Sequence, residues 1–172
     1  MRSTLNELVT RIVPAQSRPV IMIVSGLLLS LLIYFGYLGT SWVEFLGKWT
    51  AISSSKALNV FGYETHVEGT ILASGQFSVN IAPECTAIGP IIIFIAAVLA
   101  QPASVKSTIL GLILGVCALS VINLLRIVNL FWIGINYPDY LSFAHLIVWQ
   151  SVMIIMAIIL WLYWRQKVSS IG

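Results

Sequence analysis

Pro83-Glu84-Cys85-Thr86-Ala87-Ile88-Gly89-Pro90 is the stretch on which the fold turns. On its N-terminal side the residues alternate: Phe77, Val79 and Ile81 are apolar, and Gln76, Ser78 and Asn80 between them are polar. That period of two is the mark of a strand with one face buried. On its C-terminal side runs the uninterrupted apolar stretch Ile91 to Ala100, broken by Gln101-Pro102-Ala103-Ser104. Strand pattern thus gives way to membrane helix at Cys85. The first turn of such a helix carries unpaired N–H groups and the positive end of the helix dipole. Both favour an anion and would lower the pKa of a thiol placed there. A lone cysteine is also a small apolar filler, usually buried and inert, so the question is what else arrives at the same place.

Working outward, further apolar runs appear. The sequence predicts membrane helices over about 20–38, 86–100, 107–134 and 142–164. The first of these is too long, and Gly39-Thr40-Ser41-Trp42 too poor a cleavage site, for a removable signal peptide. The third, at about 28 residues, exceeds the ~20 needed to cross and is expected to tilt or protrude. Asn136-Tyr137-Pro138-Asp139 reads as a turn. Between the first two helices lies a cap, about 41–84. In it Trp42, Phe45, Leu46, Trp49 and Ile52 recur at helical spacing, as in an amphipathic helix at a membrane interface. A β-hairpin follows, with Thr65 to Ala73 as the partner strand and Ser74-Gly75 as the turn. The expected fold is therefore an all-α polytopic membrane protein, one domain over 1–172, with four transmembrane helices and a small cap of amphipathic helix plus β-hairpin.

The composition agrees. Of 172 residues, 59% are hydrophobic and only 9% charged, so the lipid bilayer is the solvent. A net charge of +3 is too small to imply nucleic-acid binding. Two cysteines without Cys-x-x-Cys spacing and two histidines provide neither a disulfide framework nor a metal cluster. Charge placement sets orientation. With the N- and C-termini inside, Arg2, Arg11, Arg18, Lys106, Arg165 and Lys167 are cytoplasmic and only Lys48 and Lys56 lie outside. This satisfies the positive-inside rule. The cap and Cys85 then face the extracytoplasmic side of the cell (inner, cytoplasmic) membrane.

Depth follows from the ~1.5 Å rise per helical residue. Cys85 lies roughly 24 Å above the cytoplasmic turn, and Arg126 and His145 each lie roughly 30 Å above the nearest cytoplasmic cation. Three segments deliver a thiol, a guanidinium and an imidazole to one layer near the outer interface. Arg126 sits in Val121-Ile122-Asn123-Leu124-Leu125-Arg126-Ile127-Val128-Asn129-Leu130, with Asn123 and Asn129 three residues away on either side. A charge in such a context marks a functional site by default, although an arginine at a helix end also snorkels as an anchor. Glu84 is open to three roles: capping the helix, meeting a basic partner, or raising the thiol pKa by repulsion. His66 lies in the strand pair, away from the helix starts, and Cys117 falls mid-helix as inert packing.

Three motifs, taken together, resemble the exosortase/archaeosortase family, and most closely its short forms such as exosortase H. They are Pro83-Glu84-Cys85-Thr86-Ala87-Ile88-Gly89, Asn123-Leu124-Leu125-Arg126-Ile127, and Phe143-Ala144-His145 followed by Trp149-Gln150. The resemblance covers about residues 60 to 165. It implies a membrane-embedded cysteine protease or transpeptidase with Cys85 as nucleophile and Arg126 and His145 as its partners, supported by Asn123 and Glu84. It implies protein substrates with a C-terminal sorting signal (motif, transmembrane helix, basic tail), with a lipid or glycan as the acceptor if transfer follows. It implies no cofactor. Many members carry Cys-Ser-Gly at the nucleophile, where this chain has Cys85-Thr86-Ala87. Two other classes fit the residues alone. One is a non-enzymatic subunit or scaffold of an export or assembly complex, with Arg126 and His145 pairing with a partner helix. The other is a small anion transporter, against which the one-sided placement of the groups argues, since such sites lie near the midplane.

Overall fold

The computed structural model describes residues 41–75 and 77–169, with Leu32 and Gly36 as isolated helical positions; the first predicted span, 20–38, otherwise lies outside the described residues. Helix α1 is Ser41–Val60. Strands β1 (His66–Glu68), β2 (Ile71–Ser74) and β3 (Phe77–Asn80) form an antiparallel sheet in the order β1-β2-β3. A single 3₁₀ turn, Pro83–Cys85, leads into α2, Ile88–Leu99. Helix α3 is Val105–Asn136, and after a second 3₁₀ turn, Pro138–Tyr140, comes α4. Helix α4 is one continuous run, in which α-helix Leu141–Phe143 passes through a π turn, Ala144–Trp149, into α-helix Gln150–Ser169.

The cap departs from the predicted hairpin. The segment expected to be a single partner strand, Thr65 to Ala73, is split by a turn at Gly69, whose φ of +61° favours glycine. Two strands result, and the sheet has three. The turn predicted at Ser74-Gly75 is present, with Gly75 at φ +58°. In α1 the tryptophan stripe faces outward. The buried face is small: Gly47, Ala51, Ser54, Ser55 and Leu58. It seats the sheet and α3, while Trp42, Phe45 and Trp49 stay exposed and touch one another edge to face.

Two helices, Val105–Asn136 and the run Pro138–Val168, are long and apolar enough to cross a membrane. Their exposed side chains include Ile109, Ile113, Leu114, Val121, Ile155, Ile158 and Ile159, an outward apolar surface that suits lipid. Ser104 caps the start of α3 by accepting from the Ser107 amide at 3.3 Å. At 32 residues α3 is about 48 Å long, well over the ~30 Å hydrocarbon core. Its surplus enters the cap, where Phe131 packs edge to face against Phe77 and Tyr63, with centroids 5.0 and 6.0 Å away. The predicted span 86–100 is shorter than expected. Helix α2 has 12 residues, or roughly 18 Å, because the chain before Ile88 is not helical.

Two apolar clusters hold these parts together. Ala51, Leu58, Leu72, Ile81, Cys85, Ile127 and Phe131 join α1, the sheet and α3. Phe94, Val98, Leu119, Ala157 and Trp164 join α2, α3 and α4. Close approach in the second depends on two glycines of α3: a Cβ at Gly115 would enter the Phe94 ring, and one at Gly111 the Trp164 ring. The indole N–H of Trp164 donates to the Ser107 carbonyl at 3.0 Å, and that of Trp161 to the Ala97 carbonyl at 3.1 Å, so each large ring also has its polar atom satisfied.

Candidate active site

The site is built where strand pairing has ended and α2 has not begun. Pro83 opens the 3₁₀ turn, and the Cys85 amide donates to the Ala82 carbonyl at 2.8 Å. Ala87 then takes φ +59° and starts α2. Two of the carbonyls in this irregular stretch face α3. Asn123 Nδ2 donates to the Cys85 carbonyl at 2.7 Å, and Arg126 Nη1 donates to the Glu84 carbonyl at 3.1 Å. Buried backbone outside regular structure needs partners for its polar groups, and these two side chains supply two. Their spacing of three puts them on one face of α3.

His145 reaches the same point from the other side. Its Nε2 lies 3.4 Å from Cys85 Sγ, across 60 residues of sequence. It belongs to the π turn of α4, a distortion that recurs at functional sites. Four residues on, Trp149 Nε1 donates to Asn129 Oδ1 at 2.9 Å and fastens this part of α4 to α3. Asn129, which flanks Arg126 in sequence, thus serves Trp149. The Trp149 and Asn129 pairing was not read from the sequence, although a tryptophan and an asparagine in facing apolar helices are its signal.

Burial decides the electrostatics. Cys85 is 7% exposed, Asn123 4% and Arg126 1%. Arg126 Nε and Nη2 and Asn123 Oδ1 are buried with no hydrogen-bond partner among the described residues. A buried guanidinium with two of its nitrogens lacking partners among the described residues is costly. The Cys85 thiol is pushed up from its ordinary value, chiefly by burial and slightly by Glu84, against the pull of Arg126 and of the backbone bond with Ala82. The helix-start argument for a depressed thiol is therefore outweighed by desolvation. The Glu84 side chain is exposed and caps nothing; only its backbone carbonyl joins the network.

A cavity of about 210 Å³ opens beside the thiol. Cys85 and His145 lie on its wall together with β3, Ile127, Leu130 and Phe131 of α3, and Leu141 and Ser142 of α4. Arg126 is behind the 3₁₀ turn and does not line it. The other candidates are elsewhere: His66 is exposed on β1, and Cys117 lies on the exposed surface of α3 instead of packing inside.

A family model described as transmembrane exosortase matches residues 15–164. The chain belongs to the transmembrane exosortase family. At the level of that family it is a membrane protein and a sorting protease or transpeptidase of the cysteine type. No curated protein and no solved structure matched this exosortase. The matched region contains Cys85, Asn123, Arg126 and His145, and also β3, whose part in the cavity wall the alternation of Phe77, Val79 and Ile81 did not by itself reveal.

Proposed function

We propose that this exosortase cuts substrate proteins by acyl transfer through Cys85. The observation that carries the reading is the 3.4 Å approach of Cys85 Sγ to His145 Nε2 at a cavity wall. At rest the pair is a neutral thiol and a neutral imidazole, in keeping with the raised thiol. With Nε2 presenting its lone pair, His145 takes the thiol proton as sulfur attacks the scissile carbonyl carbon. The C–N bond then breaks, the proton passes from His145 to the leaving amine, and the acyl group remains on sulfur as a thioester. Water, or an amine or hydroxyl of a lipid or glycan acceptor, completes the reaction. Arg126 acts through the 3₁₀ turn: it pins the Glu84 carbonyl and lends positive charge to the thiolate and the developing oxyanion. Asn123 holds the Cys85 carbonyl and so positions the nucleophile.

The substrates of this reading carry a C-terminal motif, a transmembrane helix and a basic tail. The chain spans the cytoplasmic membrane four times, over about 20–38, 86–100, 107–134 and 142–164, with both termini inside and the site at the extracytoplasmic face. The short α2 is compatible with the second span because the turn before it is packed on α3 instead of exposed to lipid. The test is co-expression with tagged candidate substrates. Cys85→Ala should insert and accumulate normally yet release no cleaved product. Undiminished cleavage by that variant would leave a scaffold role, with Asn123 and Arg126 serving only to satisfy the turn.

A further inference from the structure

Strand β3 is one of the sheet's two edge strands, pairing with β2 alone. The Ile81 amide donates to the Thr70 carbonyl at 2.9 Å, and Val79 stands opposite Leu72. In an antiparallel ladder both polar groups of a residue point to the same side, alternating along the strand. Positions 77, 79 and 81 therefore bond towards β2. Ser78 and Asn80 turn their polar groups the other way, where neither amide meets a partner among the described residues and the Asn80 carbonyl accepts from the Ala82 amide at 3.0 Å. The cavity lies against the C-terminal end of this edge. Its wall includes the consecutive residues Val79, Asn80, Ile81 and Ala82. Side chains alternate across a strand, so Val79 and Asn80 together mean that backbone faces the space at the end of β3, while Ile81 and Ala82 continue the wall beyond the strand and Ser78, one position back, is not part of it. The same wall holds Cys85 and His145. At about 210 Å³ the space is below the roughly 300–1,000 Å³ of pockets for drug-sized ligands. It suits a side chain or two, and Phe77, Leu130, Phe131 and Leu141 make it apolar.

We propose that the open edge of β3 binds the substrate's recognition segment as an added, extended strand, with an uncharged apolar side chain beside the scissile carbonyl entering the cavity. The unpaired amides call for a peptide backbone, whose carbonyls, spaced as in an added strand, accept from them. The apolar wall then selects the side chain. The proposal rests on Cys85 being the nucleophile, because the segment has to end at its sulfur.

The test uses the full chain in membranes and acetyl-capped tripeptidyl vinyl sulfones, to which the Cys85 thiol adds without a leaving group. Cys85 modification is read by mass spectrometry, with iodoacetamide as the reagent that needs no docking. A probe with valine next to the electrophile should label at least tenfold faster than one with aspartate or lysine. Methylating successive backbone nitrogens of the valine probe should slow labelling at least tenfold at alternate positions only. Ser78→Pro, which removes an outward amide and leaves the bonds to β2, should slow the valine probe at least tenfold and iodoacetamide less than twofold. If that variant slows both reagents alike, the methylation series on the unaltered protein decides. Equal rates for valine, aspartate and lysine, or no alternation with methylation, would overturn the proposal. If Cys85 is not the processing nucleophile, Cys85→Ala cleaves substrate while the probe pattern persists. If only the strand proposal is wrong, the pattern vanishes while Cys85→Ala still abolishes cleavage.

Discussion

Replacing Arg126 by lysine separates an anchor from a working part of the site. Both side chains have long stems and a positive head, so a snorkelling anchor would tolerate the change. Arg126 instead is 1% exposed, bonded through Nη1 to the Glu84 carbonyl at 3.1 Å, with Nε and Nη2 lacking partners among the described residues. A lysine ammonium is a point donor without the planar fork. It can stay on the carbonyl or shift towards the sulfur, and either choice loses part of what the guanidinium does. Leaving the carbonyl unsatisfied costs about 1–3 kcal/mol and lets the turn relax. A misplacement of ~1 Å at a reacting centre costs on the order of 10²-fold. Arg126→Lys should therefore accumulate near the normal level and cleave about 10²-fold more slowly. Cleavage is measured by immunoblot against a time course, normalised to enzyme in the membrane. A lysine variant within a fewfold of the parent would refute the reasoning and return Arg126 to the anchor role.

Three further predictions follow from the same geometry. Because burial raises the Cys85 thiol, the thiolate fraction should still be small at neutral pH, and the rate of iodoacetamide alkylation should climb with pH to a midpoint above the ~8.5 of a free cysteine; a midpoint below that value contradicts the resting neutral pair. Asn123→Leu removes the 2.7 Å bond to the Cys85 carbonyl and leaves a buried acceptor bare, so the solubilised protein should lose about 1–3 kcal/mol in thermal or denaturant unfolding and processing should fall roughly tenfold or more; unchanged stability and rate would sink the positioning role. Ala87 holds a left-handed backbone, so Ala87→Val should cost about 2–4 kcal/mol from strain and overpacking. Ala87→Gly should stay within about 1 kcal/mol of the parent, since relief of strain offsets the lost methyl and the glycine entropy. The reverse order of stability for these two variants would mean that the turn is not built as described.

The layer holding Cys85, Arg126 and His145 was legible because a helix converts residue number into depth. Counting from Gln101, Lys106 and Arg165 therefore brought the three to one level. Counting does not give azimuth, and so the sequence could not show that Asn123 and Arg126 aim at two carbonyls while His145 aims at sulfur. The long apolar helices α3 and α4 were readable within a few residues from hydropathy and the turn at Tyr137-Pro138. Helix α2 was overestimated because apolar composition continues through Thr86 and Ala87 while the backbone leaves the helix there. The third strand was missed because Gly69 lies inside an otherwise strand-like run, and only its backbone angle reveals the turn. The thiol's direction of shift was misjudged because helix-end electrostatics can be read from position, whereas desolvation requires knowing what covers the sulfur. The Cys85-Thr86-Ala87 departure from Cys-Ser-Gly falls where it is most informative, since its third position is the left-handed one.

The central claim is that substrate passes through a thioester on Cys85. Membranes carrying enzyme and substrate, quenched in acid during turnover and digested, should yield the Cys85 peptide bearing the substrate's acyl fragment. Hydroxylamine should release that fragment as a hydroxamate, and the adduct should be absent from His145→Gln. Steady cleavage with no adduct on Cys85 at any quench time, or an adduct on Cys117 instead, would contradict the account.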